Sequence, residues 1–99
     1  MSTSAVDRTR TSPETSPPKV DRLPPFNLIL HNDDVHDMLY VVDSLVSVTP
    51  TRPTEARKIM LTAHFKGRAI VLTTHKERAE LYRDRLGSKG LVTTVEPAN

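Results

Sequence analysis

Residues 28–38 read LILHNDDVHDM. Three apolar residues, Leu28, Ile29 and Leu30, give way at once to Asn32, Asp33 and Asp34, with His31, His36 and Asp37 close around them. This acidic corner falls where a strand hands over to a helix, a kind of junction that a scaffold holds rigidly and where function concentrates. Asn and Asp are also good turn and cap residues, and one of the three is expected to be occupied that way. The others are acceptors facing an unknown donor. A second polar residue, His64, lies four positions after Met60, so the two share a helix face. A lone histidine on an apolar face is more often a satisfied core residue than a ligand. Here Ala56 and Ala63 leave room beside it, and Met60 and Met38 would make adaptable pocket walls.

Three occupants would satisfy an acidic corner beside an apolar hollow. A metal ion is the first. His31, His36, Asp33, Asp34 and Asp37 include suitable ligand types, though adjacent Asp-Asp does not give the separations of a closed site. A substrate is the second, with His64 as base, but no nucleophile motif, phosphate loop or metalloprotease pattern accompanies it. A primary ammonium is the third. It carries three donors and no acceptor, and an Asn carbonyl, an Asp carboxylate and a neutral His nitrogen would meet it. The α-amino group of a peptide is such an ion, and its first side chain would enter the hollow.

The elements that must place these groups are legible in the spacing. Pro24 and Pro25 precede a first strand, FNLILH at 26–31. Asp34 or Asp37 caps a helix starting near Met38, with Met38, Val41, Val42, Leu45 and Val46 as its buried stripe. Thr49-Pro50 ends it. Pro53 opens a second helix, Ala56, Ile59, Met60 and Ala63 line one face, and Gly67 stops it. RAIVLT at 68–73 is a second strand. THKE at 74–77 reads as a capping box, Thr74 as cap and Glu77 three residues on. It starts a third helix that runs to about Leu86 and closes at Gly87. LVTTVE at 91–96 is the last strand. The order β-α-α-β-α-β fits an α+β fold, a two-layer sandwich with three helices on one face of a three-stranded, mainly antiparallel sheet.

Bulk composition narrows the function class. The chain has 99 residues, enough for one domain. Residues 1–24 read as a disordered tail, because Met1–Pro18 holds eight Ser or Thr, three prolines and no aromatic residue. Residues 25–99 form the core domain. No stretch has the length of a signal peptide's apolar segment or of a membrane span, and there is no cysteine. A cytoplasmic protein without cofactor or metal is the expectation. No Lys or Arg lies between Arg22 and Arg52, and from Arg52 onward there are ten basic residues against five acids. Those basic residues are scattered along helices without aromatic partners, which reads as a solvated surface and not a nucleic-acid site.

LILHNDDVHDMLYVV followed by ARKIMLTAHFKGRAIV resembles the ClpS family, adaptors that deliver N-degron substrates to an ATP-dependent Clp protease. The resemblance covers residues 26–96, and the Asn-Asp-Asp-x3-Met and His-aromatic-x-Gly elements are specific together. It implies that Asn32, Asp33 or Asp34, and His64 hold the α-amino group of a destabilising N-terminal residue. It also implies an apolar pocket of Met38, Val41, Met60, Ala63 and Leu91, with Leu30 at its floor. The cargo it implies begins with Leu, Phe, Tyr or Trp. The implied partner is the N-terminal domain of a Clp-type AAA+ unfoldase, contacted through Glu77 and engaged by the tail. His36 and Asp37 replace a small hydroxyl and a proline common in relatives, and Ala63 replaces a larger valine. His36 is expected to lie in solvent. The competing reading is a small metal-dependent enzyme built on the Asp/His cluster.

Overall fold

The computed structural model describes residues 23–99. The tail expected over residues 1–24 therefore lies, up to residue 22, outside the described residues. Leu23 and Pro24 are exposed.

Strand β1 (Pro25–His31) carries Leu28, Ile29 and Leu30, all buried. The unbroken apolar run sits in the central strand, both of whose edges are paired. The sheet order is β2-β1-β3, where β2 is Arg68–His75 and β3 is Thr93–Pro97. Both pairings are antiparallel, and the β1–β2 register slips once, at Leu28/Ile29. The α+β sandwich with a three-stranded antiparallel sheet and three helices is therefore present as expected.

Helices α1 (Met38–Val48), α2 (Pro53–Lys66) and α3 (Lys76–Ser88) close one core over the sheet. Val41, Leu45, Ala56, Ile59, Ala63 and Leu86 meet Leu28, Leu30, Ala69 and Val71 in it. Ile29 points the other way along the strand and faces Ile70 on β2 and Thr94 on β3. The Arg68–Glu96 ion pair (2.8 Å) runs from β2 to β3 across β1, and so spans that open face.

The helix ends show where spacing rules held and where they were overridden. Pro53 sits in the first turn of α2, and Gly67 closes it at φ 93° with its N–H donating to the Ala63 carbonyl (2.8 Å). That left-handed conformation suits a residue without a Cβ. Buried Thr49 ends α1, its hydroxyl donating to the Leu45 carbonyl (2.7 Å). The expected Thr74 capping box does not form. Ladder pairing with β1 continues to His75, placing Thr74 opposite Phe26, and α3 begins at the next residue with no side-chain cap bond. Continued sheet pairing outweighs a cap worth about 1 kcal/mol. Gly87 does not stop α3 either. The helix runs through it to Ser88, and Gly90 takes the left-handed turn at φ 88°. This delays β3 to Thr93, two residues later than expected.

Candidate functional site

The site grows from the end of the central strand. At the end of β1, the backbone N–H of His31 donates to the Val92 carbonyl (3.0 Å), just past the β1–β3 pairing, and that of Asn32 donates to the Gly67 carbonyl (2.9 Å), just past the β1–β2 pairing. The loop leaving β1 is thereby tied to the α2–β2 turn on one side and to the segment before β3 on the other. His31 is pinned further by a hydrogen bond between its Nε2 and the Thr94 hydroxyl (2.8 Å).

Within the loop the two aspartates have different work. Asp33 Oδ1 accepts the backbone N–H groups of Val35 and His36 (both 2.8 Å), an Asx turn. Asp33 Oδ2 lies 2.7 Å from Nδ1 of His36. Partial burial works to raise this carboxyl, but the backbone bond from His36, the His36 ring and the Val35 N–H together hold it below the ordinary carboxylate value. Asp34 is exposed and accepts on Oδ1 from the Asn32 amide nitrogen (3.1 Å). Its second oxygen has no partner among the described residues. With the Asn32 nitrogen committed as donor, the Asn32 carbonyl oxygen is left as an acceptor. Asp37 precedes α1 as its N-cap in backbone geometry only, without a side-chain bond. Of Asn32, Asp33 and Asp34, the one occupied by the turn is therefore Asp33, while the helix-cap position expected at Asp34 or Asp37 falls to Asp37.

His36 does not lie in solvent as expected. Its ring is partly covered, stacked on Tyr40 at 5.0 Å with planes 16° apart. Spacing gave no signal for this, since Asp33 and His36 lie in the loop before α1 and only Tyr40 is on the helix.

A hollow of about 210 Å³ opens beside this loop. Its polar wall is His31, Asn32, Asp33, Asp34, His36 and His64, and its apolar wall is Leu30, Met38, Val41, Met60 and Ala63. Leu30, Val41 and Ala63 are buried, Met60 is half-buried, and Met38 is 45% exposed. Met38 thus stands at the rim, off the core stripe on which its spacing placed it. His64 is exposed and packs edge-on to Phe65 (4.9 Å), so it is not a satisfied core histidine. Leu91 is 3% exposed, inside the core, and is not among the residues lining the hollow. Glu77 is far from it in the first turn of α3, exposed, beside a separate depression formed with Leu23, Pro24 and Phe26. Among the described residues no three His, Asp or Glu side chains converge in a group able to hold a metal.

Comparison with known proteins places the chain. A family model described as "ATP-dependent Clp protease adaptor protein ClpS" matches residues 21–94. An ATP-dependent Clp protease adapter protein ClpS from Gloeobacter violaceus is 42% identical over 76 residues, covering 76% of this chain and 82% of that protein. A chloroplastic Clp protease adapter protein of Arabidopsis thaliana is 39% identical over 75 residues, 75% of this chain and 47% of that protein. Among solved structures, Agrobacterium tumefaciens ClpS2 bound to L-phenylalaninamide superposes with a TM-score of 0.71 at 29% identity, covering 77% of this chain and 99% of that one. The chain belongs to the ClpS family of adaptor proteins of the ATP-dependent Clp protease.

Proposed function

We propose that this Clp adaptor captures the free α-amino group and the bulky hydrophobic first side chain of N-degron substrates, and delivers them to the unfoldase for degradation. The observation that carries this reading is the pairing of three acceptors with an apolar hollow. The Asn32 carbonyl, the Asp34 oxygen that has no partner among the described residues and a ring nitrogen of His64 stand on its polar wall. An ammonium has three N–H donors and takes three acceptors. Asp33 contributes negative charge and the turn, its oxygens being already engaged. The hollow is smaller than the ~300–1,000 Å³ of small-molecule sites and suits one side chain. L-phenylalaninamide, the molecule bound by the Agrobacterium relative, has both a free α-amino group and an aromatic side chain.

Cargo beginning with Leu, Phe, Tyr or Trp fits this arrangement, because those side chains are unbranched at Cβ where Met38 stands at the rim. Delivery involves the N-terminal domain of the AAA+ unfoldase, with Glu77 on the contacting surface and residues 1–24 as an engaging segment, in the cytoplasm. The adaptor has no reaction of its own.

Titration of the protein with a labelled peptide starting in Phe tests the reading. Binding is expected to persist with a chelator present and to vanish when the peptide is N-acetylated. Equal affinity for the acetylated peptide overturns amine capture, and loss of binding on chelation returns the site to a metal.

A further inference from the structure

We propose that His36 is a positioning residue: its imidazole Nδ1–H holds the Asp33 carboxylate, and with it the turn that aims Asn32 and Asp34 at the bound amine. This rests on the amine-capture reading of the site. Asn32 and Asp34 are exposed, and no packing of their own keeps them in place. What fixes the loop between them is Asp33, whose carboxylate binds two backbone N–H groups on one oxygen and His36 on the other. An ionised carboxylate only accepts, so the imidazole beside it presents a proton on Nδ1.

The imidazole is itself held from two further sides. It stacks on Tyr40, in the first turn of α1 (centroids 5.0 Å apart), and the Tyr40 hydroxyl donates to the Lys89 carbonyl (2.7 Å). Next to Lys89 stands Gly90, and a Cβ there would lie 3.0 Å from both Cε1 and Nε2 of His36. The missing side chain of Gly90 is the space in which the ring sits. One ring therefore ties the amine-site loop to the start of α1 and to the turn after α3. The arrangement is the supporting shell that a binding group needs to keep its geometry.

Two substitutions separate this role from simple packing. His36→Asn keeps a donor near the Nδ1 position and discards the ring; His36→Phe keeps the stack on Tyr40 and discards the donor. Affinity for a Phe-starting peptide is measured by fluorescence anisotropy on the full chain, with thermal melts alongside. The expected result is about a tenfold loss in His36→Phe and less than about threefold in His36→Asn, as befits a hydrogen bond to a charged group. The reverse order, equal loss in both, or wild-type affinity in both overturns the proposal. If the wild type itself fails to bind the peptide, the amine-capture reading falls first. The imidazole ¹⁵N shifts of the unliganded wild type give a readout that needs neither variant nor peptide. They should report the Nδ1–H form, and the Nε2–H form would overturn the contact on which the proposal stands.

Discussion

Two strand-to-helix junctions in this domain solve the same problem in opposite ways. Between β1 and α1 the chain spends six residues, 32–37, and bonds their polar groups to one another and to Gly67. Between β2 and α3 it spends none: His75 ends the strand and Lys76 begins the helix. The long junction leaves acceptors standing over a hollow between two helices and the sheet. The direct one leaves a charged, exposed first turn, with His75, Lys76 and Glu77 on the edge of an open depression shared with Leu23, Pro24 and Phe26 and without a group of acceptors like that of the long junction. Polar residues mark both junctions, so what separates a site from a surface is the backbone length over which they are spread and the apolar space beside them.

Breaking the long junction should have the largest consequences. Asp34→Ala and His64→Ala each remove one acceptor from the ammonium. Each should weaken binding of Leu- or Phe-starting peptides by about 1.5–3 kcal/mol, roughly ten- to a hundredfold, with melting unchanged because both side chains are exposed. Calorimetric titration decides, and undiminished affinity in a folded variant removes that residue from the site. Met38→Ala sharpens the comparison in a different direction. With Met38 at the rim, Ile- and Val-starting peptides, branched at Cβ, should gain affinity while Leu and Phe gain nothing. An unchanged order of preference in anisotropy measurements means that Met38 does not discriminate.

Asp33 should answer in stability as well as in affinity, because it holds the turn that aims Asn32 and Asp34. Its Asx turn caps two backbone N–H groups, so Asp33→Ala should lower folding free energy by about 0.5–2 kcal/mol, read by urea denaturation. Its carboxyl is held below the ordinary value by the bonds from His36 and Val35, against the opposing effect of burial. The folded state therefore binds that proton less tightly than the unfolded state. The contribution is complete above the unfolded carboxylate range, near ~3.9, and is lost as pH falls through the lower folded value. Wild-type melting temperature should fall more steeply with acid than that of Asp33→Asn, and parallel curves would refute the linkage. The smallest effect belongs to the direct junction. Glu77→Ala removes no capping bond, so stability should move by less than about 0.5 kcal/mol and peptide affinity not at all. Its effect, if the unfoldase docks there, is confined to delivery measured with the reconstituted protease.

The order of elements was readable because hydrophobic spacing changes from continuous in FNLILH to helical in 38–48 and 53–66. Pro53 and Gly67 worked as punctuation because each acts through its own backbone. Thr74 and Gly87 failed as punctuation because their local preferences compete with long-range pairing to Phe26 and with continued helix packing through Leu86. That Asn32, Asp34 and His64 would come together was legible, and they line one hollow. The split between Asp33 and Asp34 was not, since it depends on which carboxylate folds back onto the following N–H groups. Leu91 was placed in the hollow by resemblance, but two residues of further helix and the Gly90 turn carry it into the core. His36 was undervalued because its partners come from three places: the loop, α1 and a glycine more than fifty residues away.

The two backbone bonds beyond the sheet, His31 to Val92 and Asn32 to Gly67, also set when the site can exist. Each joins residues far apart in sequence, so neither forms until the loops between them have closed, and the hollow arises late, together with the three-stranded sheet. A form in which these two bonds are open lacks the anchored loop of the polar wall, so occupancy should register on the whole domain. A ligand held at a hundred times its Kd should stabilise the fold by about 2.7 kcal/mol. The Asn32 amide, far from the hydrophobic centre, should exchange its hydrogen only when the sheet itself opens.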